Sequence, residues 1–306
     1  MSITHLTYQQ IDKKKWDGCI NQSRNRLIYA QSFYLNAMAE NWDALVLNDY
    51  EAVMPLTWKK KWGVRYLYQP AFMQQGGVFF TAEISDSILQ DFIDKAFGLF
   101  KFAEITLNYL NGHRELKIGN VFMRNNFILS LESPYEEIYE GFSAGTKKYI
   151  NRAATRGLNY QSSPHYLPIL QLYKELYGER LPNFVQTDYG NFSIVCKKLH
   201  EQNNLVIRTV TNRNGDLLAA VVMLIDCNRF YNIIPCVTEQ GKKEDANYLL
   251  YNGFIREFGN SNYILDFEGS DKKGIADFYK KFATKNQPYP FVKINNLHPV
   301  LKLFKH

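Results

Sequence analysis

Cysteine and histidine are scarce in this chain, and the spacing of both excludes the simplest site chemistries. Cys19, Cys196, Cys227 and Cys236 form no C-x-x-C pair, and apart from His200, four residues after Cys196, none has a histidine close in sequence, so neither a zinc site nor a disulfide framework is predicted. The six histidines are isolated, with His5, His298 and His306 close to the ends. No Ser/His/Asp set, metal-ligand set or P-loop can be assembled from such a pattern. Long apolar runs are also missing, and Met1-Ser-Ile-Thr-His-Leu-Thr-Tyr8 lacks the basic and apolar regions of a signal peptide. The expectation is a cytoplasmic chain with reduced thiols, no metal and no transmembrane segment. Charge is not concentrated in one block: the net charge of +6 comes from scattered lysine doublets. That mild excess favours anionic partners such as nucleotides, phosphorylated cofactors, RNA or acidic headgroups, with no expectation of DNA.

Aromatic and apolar residues are abundant. With 21 Tyr, 21 Phe and 46% hydrophobic residues, 306 residues can fill the cores of about two domains, on the usual ~100–200 residues each. Helices are predicted over residues 8–23 and 30–40, the latter with Ser32 as cap, and a hairpin over 42–53 turns at Asn48-Asp49. Strands at 54–58 and 65–68 flank the basic turn Lys59-Lys-Lys-Trp-Gly63. The loop Gln69-Pro-Ala-Phe-Met-Gln-Gln-Gly-Gly77 follows. Ile88, Phe92, Ile93, Ala96 and Phe100 lie near helical spacing, so 85–100 reads as an amphipathic helix before strands at 104–107 and 126–131.

The same order then starts again. Helices are predicted over 135–157, 164–177 and 189–202. A hairpin of 205–211 and 217–226 turns about Asn212-Arg-Asn-Gly215, a strand spans 229–237, a helix 245–258 and a buried strand 263–267. Two halves with one plan predict an α+β (α/β) chain of two domains, 1–130 and 131–306, each a mixed, mostly antiparallel sheet flanked by helices.

Helix, antiparallel meander, helix and strand is the order of the GNAT acyltransferase fold. A tandem pair of such domains resembles the Fem family of peptidoglycan aminoacyltransferases. The resemblance rests on Gln31-Ser32 with Trp42, on Arg65-Tyr-Leu-Tyr-Gln-Pro70, on Thr146-Lys-Lys-Tyr-Ile-Asn-Arg-Ala153, and on Leu265-Asp-Phe-Glu-Gly-Ser270 with Gly274-Ile-Ala-Asp-Phe-Tyr-Lys-Lys-Phe282. It implies an N-acyltransferase that moves an acyl or aminoacyl group from acyl-CoA or aminoacyl-tRNA to a small-molecule or peptide amine, with no tightly bound cofactor. The acceptor groove is then expected on the N-terminal side and the donor on the C-terminal side. Three features depart from the family pattern. The counterpart of the cofactor-loop pattern Q/R-x-x-G-x-G/A is Gln240-Gly-Lys-Lys-Glu-Asp-Ala246, in which the glycine is misplaced and the acidic pair Glu244-Asp245 would repel a diphosphate. Tyr279 stands at the lysine position of the Phe-Lys pair of tRNA-using members, with Lys280 about 100° further around the helix. The long helical hairpin of some tRNA-dependent members has no counterpart.

Candidate site residues follow. Asp266 and Glu268 alternate about Phe267, which puts both carboxylates on one strand face to hold an ammonium or take its proton; alternatively one of them, Asp266 before Glu268, caps or pairs with a lysine inside the fold. One of Lys280 and Lys281 could steady an oxyanion or phosphate, Lys280 being the candidate taken, and the alternative is a solvated lysine doublet. Substrate contacts are assigned to Tyr68, Gln69, Gln74, Gln75, Lys147, Arg152, Tyr231, Asn232, Ser270 and Tyr279. Donor contacts are assigned to Gln240, Gly241, Lys242, Ala246 and Asn247. Two other readings stay open: a non-catalytic binding protein that keeps the double fold, and RNA binding through the scattered basic surface. The oligomeric state is left open.

Overall fold

A computed structural model describes residues 2–112, 116–117, 119–181, 183–269 and 271–297. The chain divides into two compact units, residues 1–124 with 288–306, and residues 125–287.

The first unit runs β1 (Ile3–Leu6), α1 (Lys13–Gln22), α2 (Ser32–Met38), β2 (Asn41–Leu47), β3 (Ala52–Lys61), β4 (Val64–Tyr68), β5 (Phe79–Phe80), α3 (Asp86–Leu99), β6 (Phe102–Thr106) and β7 (Asn120–Arg124). The second runs β8 (Phe127–Ser130), α4 (Tyr135–Glu140), α5 (Ala144–Thr155), β9 (Asn159–Ser162), α6 (Leu167–Tyr177), α7 (Gln186–Glu201), β10 (Leu205–Thr211), β11 (Leu217–Asp226), β12 (Arg229–Val237), α8 (Glu239–Lys243), α9 (Ala246–Phe258), β13 (Ile264–Asp266), α10 (Lys273–Tyr279) and β14 (Lys285–Asn286). A last strand, β15 (Tyr289–Asn295), returns to the first unit. The sheets have the orders β1-β2-β3-β4-β6-β15-β7, with β5 on β3, and β14-β8-β13-β12-β11-β10-β9.

Local sequence explains most of these elements. The Ser85 hydroxyl caps α3 by accepting from the Ile88 N–H at 3.3 Å, and Leu89, Phe92, Ile93 and Ala96 form its buried stripe. The strand β11, Leu-Leu-Ala-Ala-Val-Val-Met-Leu, is apolar without alternation because the centre of its sheet is covered on both faces. In the turn before it, the Asn212 side-chain oxygen accepts from the Asn214 and Asp216 N–H groups, both at 2.9 Å, and Gly215 takes φ +87.

Several boundaries differ from the sequence expectation. The helix expected over 8–23 starts at Lys13, because Asp12 caps it through the N–H groups of Lys14 and Lys15. Ser32 is the first residue of α2 rather than its cap; its N–H and hydroxyl both bond the Asp17 carboxylate, at 2.7 and 2.6 Å. The expected domains 1–130 and 131–306 differ from the observed units at both ends. Strand β8 pairs with β13 and sends Phe127 and Leu129 into the second core, while β15 pairs with β6 and β7 in the first sheet. Both are pairings between residues far apart in sequence, which local patterns do not encode.

The two units share one device. Among the described residues the parallel strand pairs are β4 with β6 and β12 with β13, one in each sheet. Both are short: Leu67 and Tyr68 face Ala103 and Glu104, and Arg229 to Tyr231 face Ile264 to Asp266. Beyond these residues the strands part, and what fills each gap decides what each unit can do.

Candidate functional site

In the first unit the gap is narrowed by its own loop. The Gln69 side-chain oxygen accepts from the Thr106 N–H at 3.0 Å while its amide donates to the Met73 carbonyl at 2.8 Å. Gln75 is fully buried, accepts from the Tyr109 N–H at 2.9 Å and donates to the Gln74 side chain at 2.7 Å. The Tyr68 hydroxyl accepts from the Glu40 N–H at 2.8 Å. These residues, expected to contact substrate, bond polar groups of their own loop and of neighbouring segments. A small open cleft remains where β4 and β6 part, lined by Pro55, Thr57, Leu67, Gln69, Met73, Gly76, Gly77, Ile105 and Thr106, so Gln69 also faces it.

In the second unit the gap is lined by side chains. Asn232 follows the last paired residue of β12 and donates to the Tyr251 hydroxyl of α9 at 2.9 Å and to the Tyr279 hydroxyl of α10 at 3.3 Å. All three residues are buried. Tyr173 and Tyr177 of α6 join them from the other side, and the Tyr177 hydroxyl accepts from the Val237 N–H at 3.3 Å. Burial is the main cause that raises the phenols of Tyr173, Tyr251 and Tyr279, the last to about 12. The negative charges of Tyr177, when ionised, and of Glu268 raise Tyr279 further, against the hydrogen bonds from Tyr251 and Asn232 that lower it. The cluster is therefore neutral at physiological pH, a set of hydrogen-bond donors beside a carboxylate. Tyr231, by strand alternation, points to the opposite face from Asn232 and is buried there.

Asp266 is not available for chemistry. It is fully buried, pairs with Arg229 at 2.5 Å, accepts from the Asn126 amide at 3.2 Å and from the Glu268 N–H at 2.8 Å. The internal partner is an arginine 37 positions upstream, held also by Gln287 at 3.3 Å. Nor do Asp266 and Glu268 share a strand face, because β13 ends at Asp266 and Glu268 turns at φ +60, followed by Gly269 at φ +50. The Asp266 carboxylate organises that left-handed turn by accepting the Glu268 N–H, and so presents the half-buried Glu268 beside Tyr279. Ser270 lies outside the described residues.

The lysines are exchanged relative to expectation. Lys280, at the end of α10, has a side chain 57% exposed with Asp277 at 4.0 Å. Lys281 instead donates to the Tyr248 hydroxyl and lies 5.3 and 5.0 Å from the Tyr149 and Tyr248 ring centroids, which stack at 4.8 Å. Lys147 pairs with Glu140 at 2.9 Å, and Arg152 makes a forked pair with Asp245, one arm at 2.7 Å, while its guanidinium covers Tyr149 at 4.8 Å.

The stretch 240–246 is not one open loop. Residues 240–243 lie in the helix α8, whose start is capped by Thr238 accepting from Gly241 N–H at 2.9 Å, and Ala246 begins α9. The N–H groups of Lys242 and Glu244 bond carbonyls of Thr238 and Gln240 at 2.9 and 3.0 Å. A Cβ on Gly241 would meet the Leu218 carbonyl oxygen at 2.1 Å, so the glycine is needed for close packing on β11 rather than for approach of a phosphate. Gln240 and Lys242 bond Glu244 and Glu239 within the helix, Ala246 is buried, and the Asn247 side chain accepts from Tyr248 N–H at 3.1 Å. Asp245, buried at φ +59, stands at the start of α9 with its carboxylate held by Arg152 and with Arg156 at 4.0 Å. The nearby edge of β12 is also poor in donors, because Val237 N–H is held by Tyr177 and Pro235, two residues earlier on the same edge, has none.

Sequence reasoning missed Arg229, Tyr173, Tyr177 and Tyr251, and of the doublet it chose Lys280 over Lys281. The signal for Tyr251 was a polar-tipped ring on the buried stripe of an amphipathic helix, and such a hydroxyl needs a buried partner. Among the described residues no group of three or more His, Cys, Asp or Glu is placed to hold a metal, and no helix is long and apolar enough to cross a membrane.

No protein-family model and no curated protein matches the sequence. Solved structures do match. FemX superposes with a TM-score of 0.62 at 13% identity over 100% of both chains. L-PGS from Bacillus licheniformis gives 0.54 at 13% identity over 96% of this chain and 95% of that one. A tandem GNAT protein from the clavulanic acid biosynthesis pathway gives 0.54 at 8% identity over 97% and 99%. With its two mixed sheets, each interrupted by one short parallel pair, the chain has the tandem GNAT, Fem-like fold of these proteins.

Proposed function

We propose that the protein is an N-acyltransferase whose chemistry takes place in the gap between β12 and β13. The observation that carries this reading is the convergence of Asn232, Tyr251, Tyr279 and Glu268 just past the point where the parallel strands part. The amine nitrogen of the acceptor attacks the carbonyl carbon of an ester or thioester, forming the C–N bond. The carbonyl electron pair moves to oxygen and returns as the C–O or C–S bond breaks. Glu268 takes the proton from the attacking nitrogen, and the leaving oxygen or sulfur receives a proton from the Tyr279 hydroxyl or from water.

Between the two donor classes, the geometry at 240–246 favours an aminoacyl ester such as aminoacyl-tRNA over acyl-CoA. The diphosphate cradle is replaced by a closed helix, and a neutral, weakly acidic Tyr279 helps a basic alkoxide leave more than it helps a thiolate. The acceptor is an amine on a small molecule or peptide. A second reading, a binding protein without turnover, is favoured by the same closed helix.

The test is transfer of labelled acyl groups from acyl-CoA esters and from charged tRNA to a panel of amines. Transfer from charged tRNA supports the full reading. Transfer from acyl-CoA alone overturns the donor assignment, and binding of an amine or donor without any transfer favours the binding protein.

A further inference from the structure

The turn that joins β3 to β4 is built against the interests of the fold. Its two central residues are Trp62 at φ +50 and Gly63 at φ +79, so both occupy the left-handed region. Glycine, asparagine or aspartate adopts that conformation readily, whereas a bulky aromatic at its first position is strained. The indole gains no burial in return: Trp62 is 64% exposed. Around it lie Lys59, Lys60, Lys61 and Arg65, and the strand register sets Lys60 directly opposite Arg65, two like charges on one face. Among the described residues no carboxylate pairs with Lys60, Lys61 or Arg65, while Lys59 reaches Glu40 only at 3.7 Å. Lys61 lies 4.6 Å from the Trp62 ring, so cation and indole are presented together at the tip. A strained turn that holds a mostly exposed indole among basic residues marks a surface kept for contact.

We propose that this hairpin tip docks on a membrane surface that carries anionic lipid. An indole is the side chain best suited to the headgroup boundary, and lysine and arginine beside it are drawn to negatively charged headgroups. A convex two-residue turn with one ring suits a plane. It suits a single-stranded nucleic acid less well, because such a strand is held in a groove with successive stacking rings. The inference is independent of the acyl-transfer reading.

The test is co-sedimentation of the full chain with vesicles of equal parts phosphatidylglycerol and phosphatidylcholine, and with phosphatidylcholine alone. The protein is expected on the anionic vesicles only, with binding that weakens as salt rises. Each of Lys60→Glu and Lys61→Glu lowers partitioning at least about fivefold, from the attraction of one basic residue to such a surface. Trp62→Ser loses binding with unchanged circular dichroism, and Ile194→Ser, a control at another exposed apolar position, binds as the parent does. Equal binding by the parent and the tip variants, absence of binding by the parent, or tip-dependent binding of generic RNA but not of vesicles would each overturn the proposal.

Discussion

At the scale of single residues, the second unit turns on the difference between two carboxylates two positions apart. Asp266 is fully buried against Arg229 and has three hydrogen-bonding partners, so it holds structure; Glu268, on a left-handed turn that Asp266 itself organises, faces the tyrosine cluster. Removing one member of a buried ion pair strands the other charge, so Arg229→Ala or Asp266→Ala should each cost roughly 3–5 kcal/mol in urea unfolding. The double variant Arg229→Met with Asp266→Leu should cost clearly less than the sum of those losses. Tyr279 makes a second prediction. Its folded pKa, raised to about 12, lies above the ~10 of an unfolded tyrosine, so its contribution is fully present below pH 10 and is lost as pH rises through 12. Alkaline denaturation of Tyr279→Phe should therefore show a shallower loss of stability between these values than the parent.

At the scale of elements, α8 and the stretch around it decide how the donor is held. Gly241 is pressed onto the Leu218 carbonyl, so Gly241→Ala should shift α8 and cost about 1–3 kcal/mol, the usual range for overpacking. If α8 is a packing element, this variant changes melting temperature without changing the affinity for CoA. A CoA affinity that falls at unchanged stability would show that the segment is a cradle after all. Elements of this kind were legible in the sequence where local chemistry determines them. The capped, amphipathic helix at 86–99 and the meander about the Asn212–Gly215 turn were readable from spacing alone. The helix α8 was not, because the segment was aligned on a phosphate loop, and only the approach of β11 shows what its misplaced glycine is for. The return of β15 to the first sheet was hidden for a related reason: its partners β6 and β7 are remote in sequence, and no turn announces them.

At the scale of the whole chain, the repeated order of helix, meander, helix and strand was legible and the tandem GNAT fold followed from it. Each unit has a short parallel pair, and the two gaps are lined differently. Gln69, Gln74 and Gln75 narrow the first to a small cleft with their own hydrogen bonds, whereas polar side chains from β12, α6, α9 and α10 converge on the second. The sequence named Asn232, Tyr279 and Glu268 from that convergence. It could not name Tyr251, Tyr173 or Tyr177, which reach the gap only when helices pack on the sheet.

The most direct measurement is acyl transfer to an amine acceptor by Glu268→Gln and Tyr279→Phe, each shown to keep its far-ultraviolet circular dichroism, under conditions where the parent turns over. Removing a general base should lower the rate of Glu268→Gln by about 10²-fold or more. Tyr279→Phe should fall by a smaller factor with ester donors and less still with thioesters. Parent-like rates in both folded variants would contradict the placement of the reaction between β12 and β13.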